Sequence, residues 1–376
     1  MTKYKYALGT VRCTPSCEYG QCELVTEEWF ARALSLERKR TERSRKPFVL
    51  ALLNFQGVEV LNGDKTSYLH RVVRAISSFI RETDIIGWYR DGAVLGVIFT
   101  ELGTGAPSAF LSITSKIDAA IEKRVGHEKG VWIEVTYHVF PEEWDGTKVG
   151  TGVDTKLYPD IETPSEGGWL GSTGKRMIDI ALSSLALIVL LPLFLLIATA
   201  IKLGSKGPVL FRQERIGHLG RPFMFLKFRS MGVSTESTIH REFVRKLING
   251  NLDVPQNGIF KIQNDPRVTR VGRILRKTSL DELPQFWNVL IGEMSLVGPR
   301  PPLPYEVEVY DIWHRRRVLE AKPGITGLWQ VTGRSRTCFN DMVRLDLHYT
   351  QSSSLWLDLK ILLQTPQAVL DGDGAY

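Results

Sequence analysis

The chain predicts an α+β protein of two parts. The first is a ferredoxin-like β-α-β-β-α-β domain; the second is a mainly helical, membrane-associated domain with a small β-hairpin and a re-entrant helix. Three observations predict this. Strand and helix patterns alternate in that order over residues 48–140. Residues 180–201, IALSSLALIVLLPLFLLIATAI, run for 22 residues without a charge and carry a proline just past the middle. The halves also differ in charge: residues 172–376 hold 27 Lys+Arg against 18 Asp+Glu, whereas residues 1–171 hold 21 against 23. At 376 residues there is length for two cores.

The opening residues carry Lys3, Lys5 and Arg12 and no apolar h-region, so no secretory signal is expected. Cys13, Cys17 and Cys22 crowd this end and Cys338 stands alone, which suggests free thiols in a reducing compartment; the spacing matches no zinc or cluster pattern. An N-terminal arm, 1–45, ends in the charged run ERKRTERSRK. The first domain then spans 46–142. FVLALLNF (48–55) reads as an apolar strand, and residues 66–82 as a helix with Leu69, Val72, Val73, Ile76 and Ile80 on one face. Residues 84–90 and 93–100 form a hairpin across Asp91-Gly92, followed by a helix over 108–124 and a strand over 131–140.

This order, with its central hairpin, resembles the diguanylate cyclase (GGDEF) domain. The signature position here reads Arg90-Asp91-Gly92-Ala93-Val94, without the glycines and acid pair needed for phosphate approach and metal binding. The resemblance therefore implies a degenerate domain with a regulatory or assembly role, including homo-oligomer formation; an unrelated α+β domain is the other reading. Residues 143–173, rich in Gly, Thr, Asp and Pro, read as a linker.

The uncharged run lies within a predicted helix over 178–203. A straight helix of 22 residues is about 33 Å long, enough to cross the hydrocarbon of a bilayer. However, Lys175 and Arg176 flank one end and Lys202 and Lys206 the other, so both ends read as cytoplasmic. Pro192 removes a helix hydrogen bond and bends the segment, which allows it to dip into one leaflet and return. A kinked spanning helix and a buried core helix remain the competing readings. So apolar a segment beside a basic surface suits an anionic membrane and argues against nucleic acid as the partner.

Beyond the helix, residues 208–217 and 222–230 read as two strands around a His-Leu-Gly turn. Period-2 alternation puts Phe223, Phe225, Lys227 and Arg229 on one face, as an anion site or as a solvated edge. In residues 264–302, Arg267, Arg270, Arg273 and Arg276 recur every third residue and lead to Asp281-Glu282. A capping box from Ser279 to Glu282, or Asp281 as the cap, would start the next helix; either brings Asp281 close to the positive end of a helix. An ionised carboxylate beside cations can attack a phosphoryl group. The plainer reading makes Asp281 a helix cap and Glu282 an ion-pair partner. Arg315-Arg316-Arg317, Trp313, Trp329 and Trp356 fit interfacial anchors or core positions equally, and 340–363 reads as an amphipathic helix interrupted near the serines at 352–354.

Residues 174–376 also resemble the bacterial sugar transferase family, the monotopic phosphoglycosyl transferases. The matching stretches are GKRMIDI, GPVLFRQERIG, FLKFRSM, NDPRVTRVGRILRKTSLDELPQFWNVLIGEMSLVGPRPP, KPGITGLWQVTGR and LDLHYTQSSSLWLDLKILLQT, in family order. The resemblance implies transfer of sugar-1-phosphate from a UDP-sugar to undecaprenyl phosphate at the cytoplasmic face of a bacterial inner membrane, with UMP released and a surface glycan begun. It implies that Asp281 is the nucleophile and a Mg²⁺ contact and that Glu282 completes the dyad. By the same likeness Arg276, Lys227 and Arg229 bind substrate phosphate, Pro299-Arg300-Pro301 binds the nucleotide end, and Pro192 breaks the re-entrant helix. A membrane-tethered signalling module built on the cyclase-like domain is the alternative function.

Overall fold

The computed structural model describes residues 24–55, 65–102, 106–125, 133–142, 154–162, 168–232, 267–332 and 338–370. Cys13, Cys17 and Cys22 lie outside the described residues, as do 131–132 of the predicted last strand. The chain divides into two compact units: Met1–Glu142 with Asp154–Glu162, and Glu143–Val153 with Thr163–Tyr376.

The first unit contains α1 (Glu27–Ser44), β1 (Phe48–Asn54), α2 (Lys65–Ser77), β2 (Ile85–Arg90), β3 (Val94–Phe99), α3 (Ala106–Val125) and β4 (Glu134–Phe140). The sheet order is β2-β3-β1-β4 and all neighbours are antiparallel, as a ferredoxin-like topology requires. Gly92, at φ +65°, makes the β2–β3 turn, a conformation that favours glycine. On β1, alternation sends Val49, Ala51 and Leu53 into a core with Val72, Val73 and Ile76 of α2 and Ile117 of α3.

Residues 27–44, read from sequence as part of an arm, form α1. A buried stripe of Phe30, Ala33 and Leu34 precedes its charged run and continues into it at Glu37, Arg38 and Thr41. Gly87 and Gly96 make room for the Phe30 ring, since a Cβ at Gly96 would lie 2.4 Å from it. Residues 154–162 also depart from the linker reading. They form a short 3-10 turn and α4 (Pro159–Glu162), with Leu157 and Tyr158 buried and Asp160 taking both oxygens to the Arg38 guanidinium at 2.7 Å. Two apolar side chains and one ion pair suffice to dock a segment whose overall composition looks like a loop.

The second unit begins with α5 (Gly168–Val189) and α6 (Leu191–Gly204), which break at Leu190. Among the described residues no single helix is long and apolar enough to cross a membrane; Thr173–Val189 and Leu191–Gly204 meet the length and composition together, bent by 59°. Pro192 sits in the first turn of α6, where its missing N–H removes one helix hydrogen bond, although the Leu190 N–H still donates to the Ala186 carbonyl at 2.9 Å. Then come the antiparallel hairpin β5 (Leu210–Ile216) and β6 (Pro222–Phe228), α7 (Arg270–Lys277), α8 (Gln285–Ile291) and β7 (Ser295–Val297). After these follow α9 (Pro304–Val307), α10 (Ile312–Leu319), β8 (Gly324–Thr326), α11 (Leu328–Thr332), α12 (Phe339–Ser352) and α13 (Leu355–Leu370). β7 and β8 pair in parallel. The serines at 352–354 do interrupt the C-terminal helical stretch, separating α12 from α13.

Both ends of the bent pair are fastened inside this unit. At the α5 end, Lys175 Nζ donates to Asp358 at 2.6 Å and to the Val297 carbonyl at 3.0 Å. Arg176 donates to the Val289 and Leu290 carbonyls at 2.6 and 2.7 Å, satisfying the C-terminus of α8, and buried Asp179 accepts from the Leu296 N–H at 2.9 Å. At the α6 end, Arg229 donates to the carbonyls of Lys206 and Ser205, each at 2.9 Å, and to Ser205 Oγ at 2.7 Å.

Candidate active site

The site is organised by the turn between α7 and α8. Thr269 caps α7, its Oγ accepting from the Gly272 N–H at 2.9 Å. Gly272 is needed because the first turn abuts the Ser230 carbonyl, 2.0 Å from where a Cβ would stand. The helix thus starts after Arg267, and the arginine series divides: Arg267 lies in the preceding turn, Arg270 and Arg273 are exposed, and Arg276 is half-buried in the last turn. Arg276's guanidinium makes no hydrogen bond or ion pair with the described residues.

Neither predicted cap forms. Ser279 takes a left-handed conformation, φ +56°, and makes no side-chain cap bond; a 3-10 turn over Leu280–Glu282 follows, and Pro284 precedes α8. Asp281 sits in that turn and is buried. Since α8 has only seven residues, its dipole contributes little at Asp281. Leu280 and Leu283 on either side of the acidic pair pack with Ile197 and Ile201 of α6, Phe228 and Leu275, so the turn shares a core with α6.

Glu282 receives Lys227 Nζ at 2.7 Å. Lys227 also lies 5.2 Å from the centroid of Phe225, and Arg215 lies 5.2 Å from the same ring. Arg215 is the residue that sequence reading missed. The signal was present in the hairpin register, which sets Arg215 opposite Phe223 and Gln213 opposite Phe225. Burial, with help from the nearby Arg300 cation, lowers the Arg215 pKa to about 10, while Glu306, Tyr305 and Glu282 oppose that shift. Glu282 and the Pro299–Pro301 loop therefore border the same buried guanidinium.

That loop is held through four successive carbonyls. Pro299 O accepts from the Gly324 N–H at 2.9 Å and Arg300 O from Arg317 Nη2 at 3.0 Å. Pro301 O accepts from Arg215 Nη1 at 2.9 Å, and Pro302 O from the Ile216 N–H at 3.0 Å. With prolines at 299, 301 and 302 contributing no N–H, the loop needs outside donors. The backbone is pinned on both sides of Arg300, while its guanidinium makes no hydrogen bond or ion pair with the described residues.

Arg229 and Lys227 do not share a ligand. β6 ends at Phe228, and Arg229 turns to the end of α6, with all the bonds described above directed there. The basic triplet is likewise internal: Arg317 is buried against Asp346 at 2.7 Å, and Arg316 pairs with Glu320 at 2.6 Å. Trp329 and Trp313 belong to the core, whereas Trp356 is 76% exposed.

Among the described residues no group of three or more His, Cys, Asp or Glu converges on one point. A Mg²⁺ at Asp281 fits that donor set, because this ion commonly takes one or two carboxylates and completes its shell with substrate phosphates and water.

The turn that bears buried Asp281 thus packs against one arm of a bent apolar helix pair, with the Lys227–Glu282 ion pair beside it. The chain belongs to the bacterial sugar transferase family, whose model matches residues 170–372. It is 44% identical over 202 residues to the galactosyl transferase CpsE of Streptococcus agalactiae, covering 54% of this chain and 43% of that one. It is 43% identical over 210 residues to the exopolysaccharide production protein ExoY of Rhizobium meliloti, covering 55% of this chain and 90% of that one. The undecaprenyl-phosphate galactose phosphotransferase of Salmonella typhimurium is 42% identical over 204 residues, 54% of this chain and 41% of its own. Apart from ExoY, the chain thus spans less than half of these relatives. Among solved structures, the diguanylate cyclase SiaD of Pseudomonas aeruginosa matches 31% of this chain and 46% of its own at 21% identity, with a TM-score of 0.25, too slight a likeness to carry an argument.

Proposed function

We propose that the chain transfers a hexose-1-phosphate from a UDP-sugar to undecaprenyl phosphate and so initiates an exopolysaccharide or capsule glycan. The observation that carries this reading is the buried Asp281, on a turn packed against α6, where its neighbour Glu282 pairs with Lys227 and acts on Arg215, the residue that holds the Arg300 loop. The names of the matched galactose and exopolysaccharide proteins support the substrate class.

In the first step, an Asp281 carboxylate oxygen attacks the phosphorus that bears the sugar. The phosphoanhydride P–O bond breaks, and UMP leaves with its electron pair. In the second, a phosphate oxygen of undecaprenyl phosphate attacks the same phosphorus, the P–O bond to Asp281 breaks, and the carboxylate is regenerated. Arg276 and Arg300 present donors to the diphosphate, and Lys227 holds Glu282 beside the nucleophile for positioning or proton handling. Bound Mg²⁺, held by Asp281, would offset the charge of the phosphates. Arg229 contributes by fixing the end of α6.

The bent pair dips into the cytoplasmic leaflet of a bacterial inner membrane and returns. Fastening of both its ends to one folded unit supports this over a span. Exposed Trp287 and Ile291 on α8, Ile274 on α7, and Trp356, Leu359 and Leu363 on α13 extend the lipid-facing surface. The first unit is a degenerate cyclase-like module with a regulatory or assembly role.

The full chain in lipid nanodiscs, given a UDP-hexose without acceptor, is expected to release about one UMP per site and to form a hydroxylamine-sensitive phosphosugar adduct. Asp281→Asn abolishes both, with a loss of at least about 10³-fold, as when other covalent nucleophiles are removed. Undiminished turnover in Asp281→Asn would sink the assignment.

A further inference from the structure

Two buried arginines hold the Pro299–Pro302 loop, and they differ in one respect. Arg317 donates to the Arg300 carbonyl, and its charge is met by the Asp346 carboxylate at 2.7 Å. Arg215 donates to the Pro301 carbonyl and through Nε and Nη2 to Gln213 Oε1, at 3.2 and 2.9 Å. It is 6% exposed, yet among the described residues no carboxylate forms an ion pair with it.

A buried cation without a contacting anion is costly, and a neutral donor would hold the Pro301 carbonyl as well. The uncompensated charge has a direction: Arg300 repels it, whereas Glu282 and Glu306 attract it. Lys227 shares the Phe225 ring with it, so Phe225 spaces two cations on the side where Glu282 lies. An incoming diphosphate would supply the missing negative charge.

We infer that Arg215 is a positioning residue for the nucleotide half of the reaction: it fixes the Pro299–Pro301 loop and turns the Arg300 guanidinium toward the substrate diphosphate. It acts through Arg300 and the loop, and it rests on the sugar-phosphate transfer proposed above. Once the nucleotide has left, the second half-reaction no longer depends on it.

The test compares the full-length wild type with Arg215→Lys and Arg215→Met in nanodiscs, each half-reaction measured separately. The expected result for Arg215→Met is UMP release at least about 10-fold slower at low UDP-sugar, with KM for the UDP-sugar raised. Transfer from the preformed adduct to undecaprenyl phosphate stays within about twofold of wild type. Arg215→Lys, which retains the charge, recovers part of the first half-reaction and covers the case in which the methionine variant folds poorly. Equal slowing of both half-reactions, a lysine variant no better than methionine, or unchanged UMP release by both variants overturns the inference. A wild type that forms no adduct instead removes the transfer reading beneath it.

Discussion

Each side chain at the site answers to the local accounting of donors and charge. Lys227 and Glu282 pair at 2.7 Å, and buried Arg215 stands in the opposed fields of the Arg300 cation and the Glu282 and Glu306 carboxylates. Histidine supplies a residue-scale test of how the surrounding hairpin tolerates charge. His218, in the β5–β6 turn, has its pKa lowered to about 4, first by burial and then by Lys322 and Arg221. The unfolded chain binds this proton near pH 6.5 and the folded chain only near 4, so between these values unfolding takes up a proton. The contribution of neutral His218 is therefore complete above pH 6.5 and is lost as pH falls toward 4. His218→Gln, which cannot titrate, is expected to melt with a shallower pH dependence than wild type. Melting temperatures of the full chain in detergent at pH 7.0 and 4.5 check this, and parallel pH curves for the two proteins would refute it.

Among elements, the proposed membrane contact rests on the bent pair and α13. The ends of α5 and α6 are tied by Lys175, Arg176, Asp179 and Arg229 to strands and helices of one unit, so the break at Leu190 is held by packing as well as by proline. Pro192→Ala is accordingly expected to leave both flanks inside the cell. Single cysteines placed at Thr173 or Lys206, in chains lacking the native cysteines, should resist an impermeant maleimide in intact cells with or without Pro192. Labelling of one flank alone in the wild type would establish a span. For α13, Trp356, Leu359 and Leu363 are 76%, 46% and 72% exposed. Burial of such side chains in hydrocarbon contributes roughly 1.5–3 kcal/mol each. Changing all three to serine is expected to lower partition into anionic vesicles by at least about 100-fold while the melting temperature holds; vesicle flotation measures the first and a thermal scan the second.

Across the molecule, what was legible followed from periodicity and what was hidden followed from tertiary pairing. Apolar runs and the Asp91-Gly92 turn located the four strands described in the first unit, because strands covered on both faces, as β1 and β3 are, read as continuous apolar stretches. α1 escaped because its buried stripe of Phe30, Ala33 and Leu34 continues into the charged run at Glu37 and Arg38. At the site, Asp281, Glu282 and Lys227 stood out as charges near phosphate-like patterns, whereas Arg215 gained its meaning only when the hairpin and the Pro299–Pro302 loop met. Arg317 looked like a headgroup anchor until Asp346 came to it from α12. The division of labour follows from the same physics. In the first unit both sheet faces are used, one by α2 and α3 and the other by α1, and the Asp91 N–H at the hairpin tip donates to Glu27 at 2.8 Å. The tip of the β2–β3 hairpin is thus bonded to the chain's own helix. GTP at millimolar concentration is therefore expected to change neither the melting temperature of the full chain nor its UMP release from a UDP-hexose, whereas a UDP-hexose should raise the melting temperature by mass action. A saturable rise with GTP would assign nucleotide sensing to the first unit, and it would do so even if Asp281 proved to be the nucleophile, because the two chemistries reside on separate groups of residues.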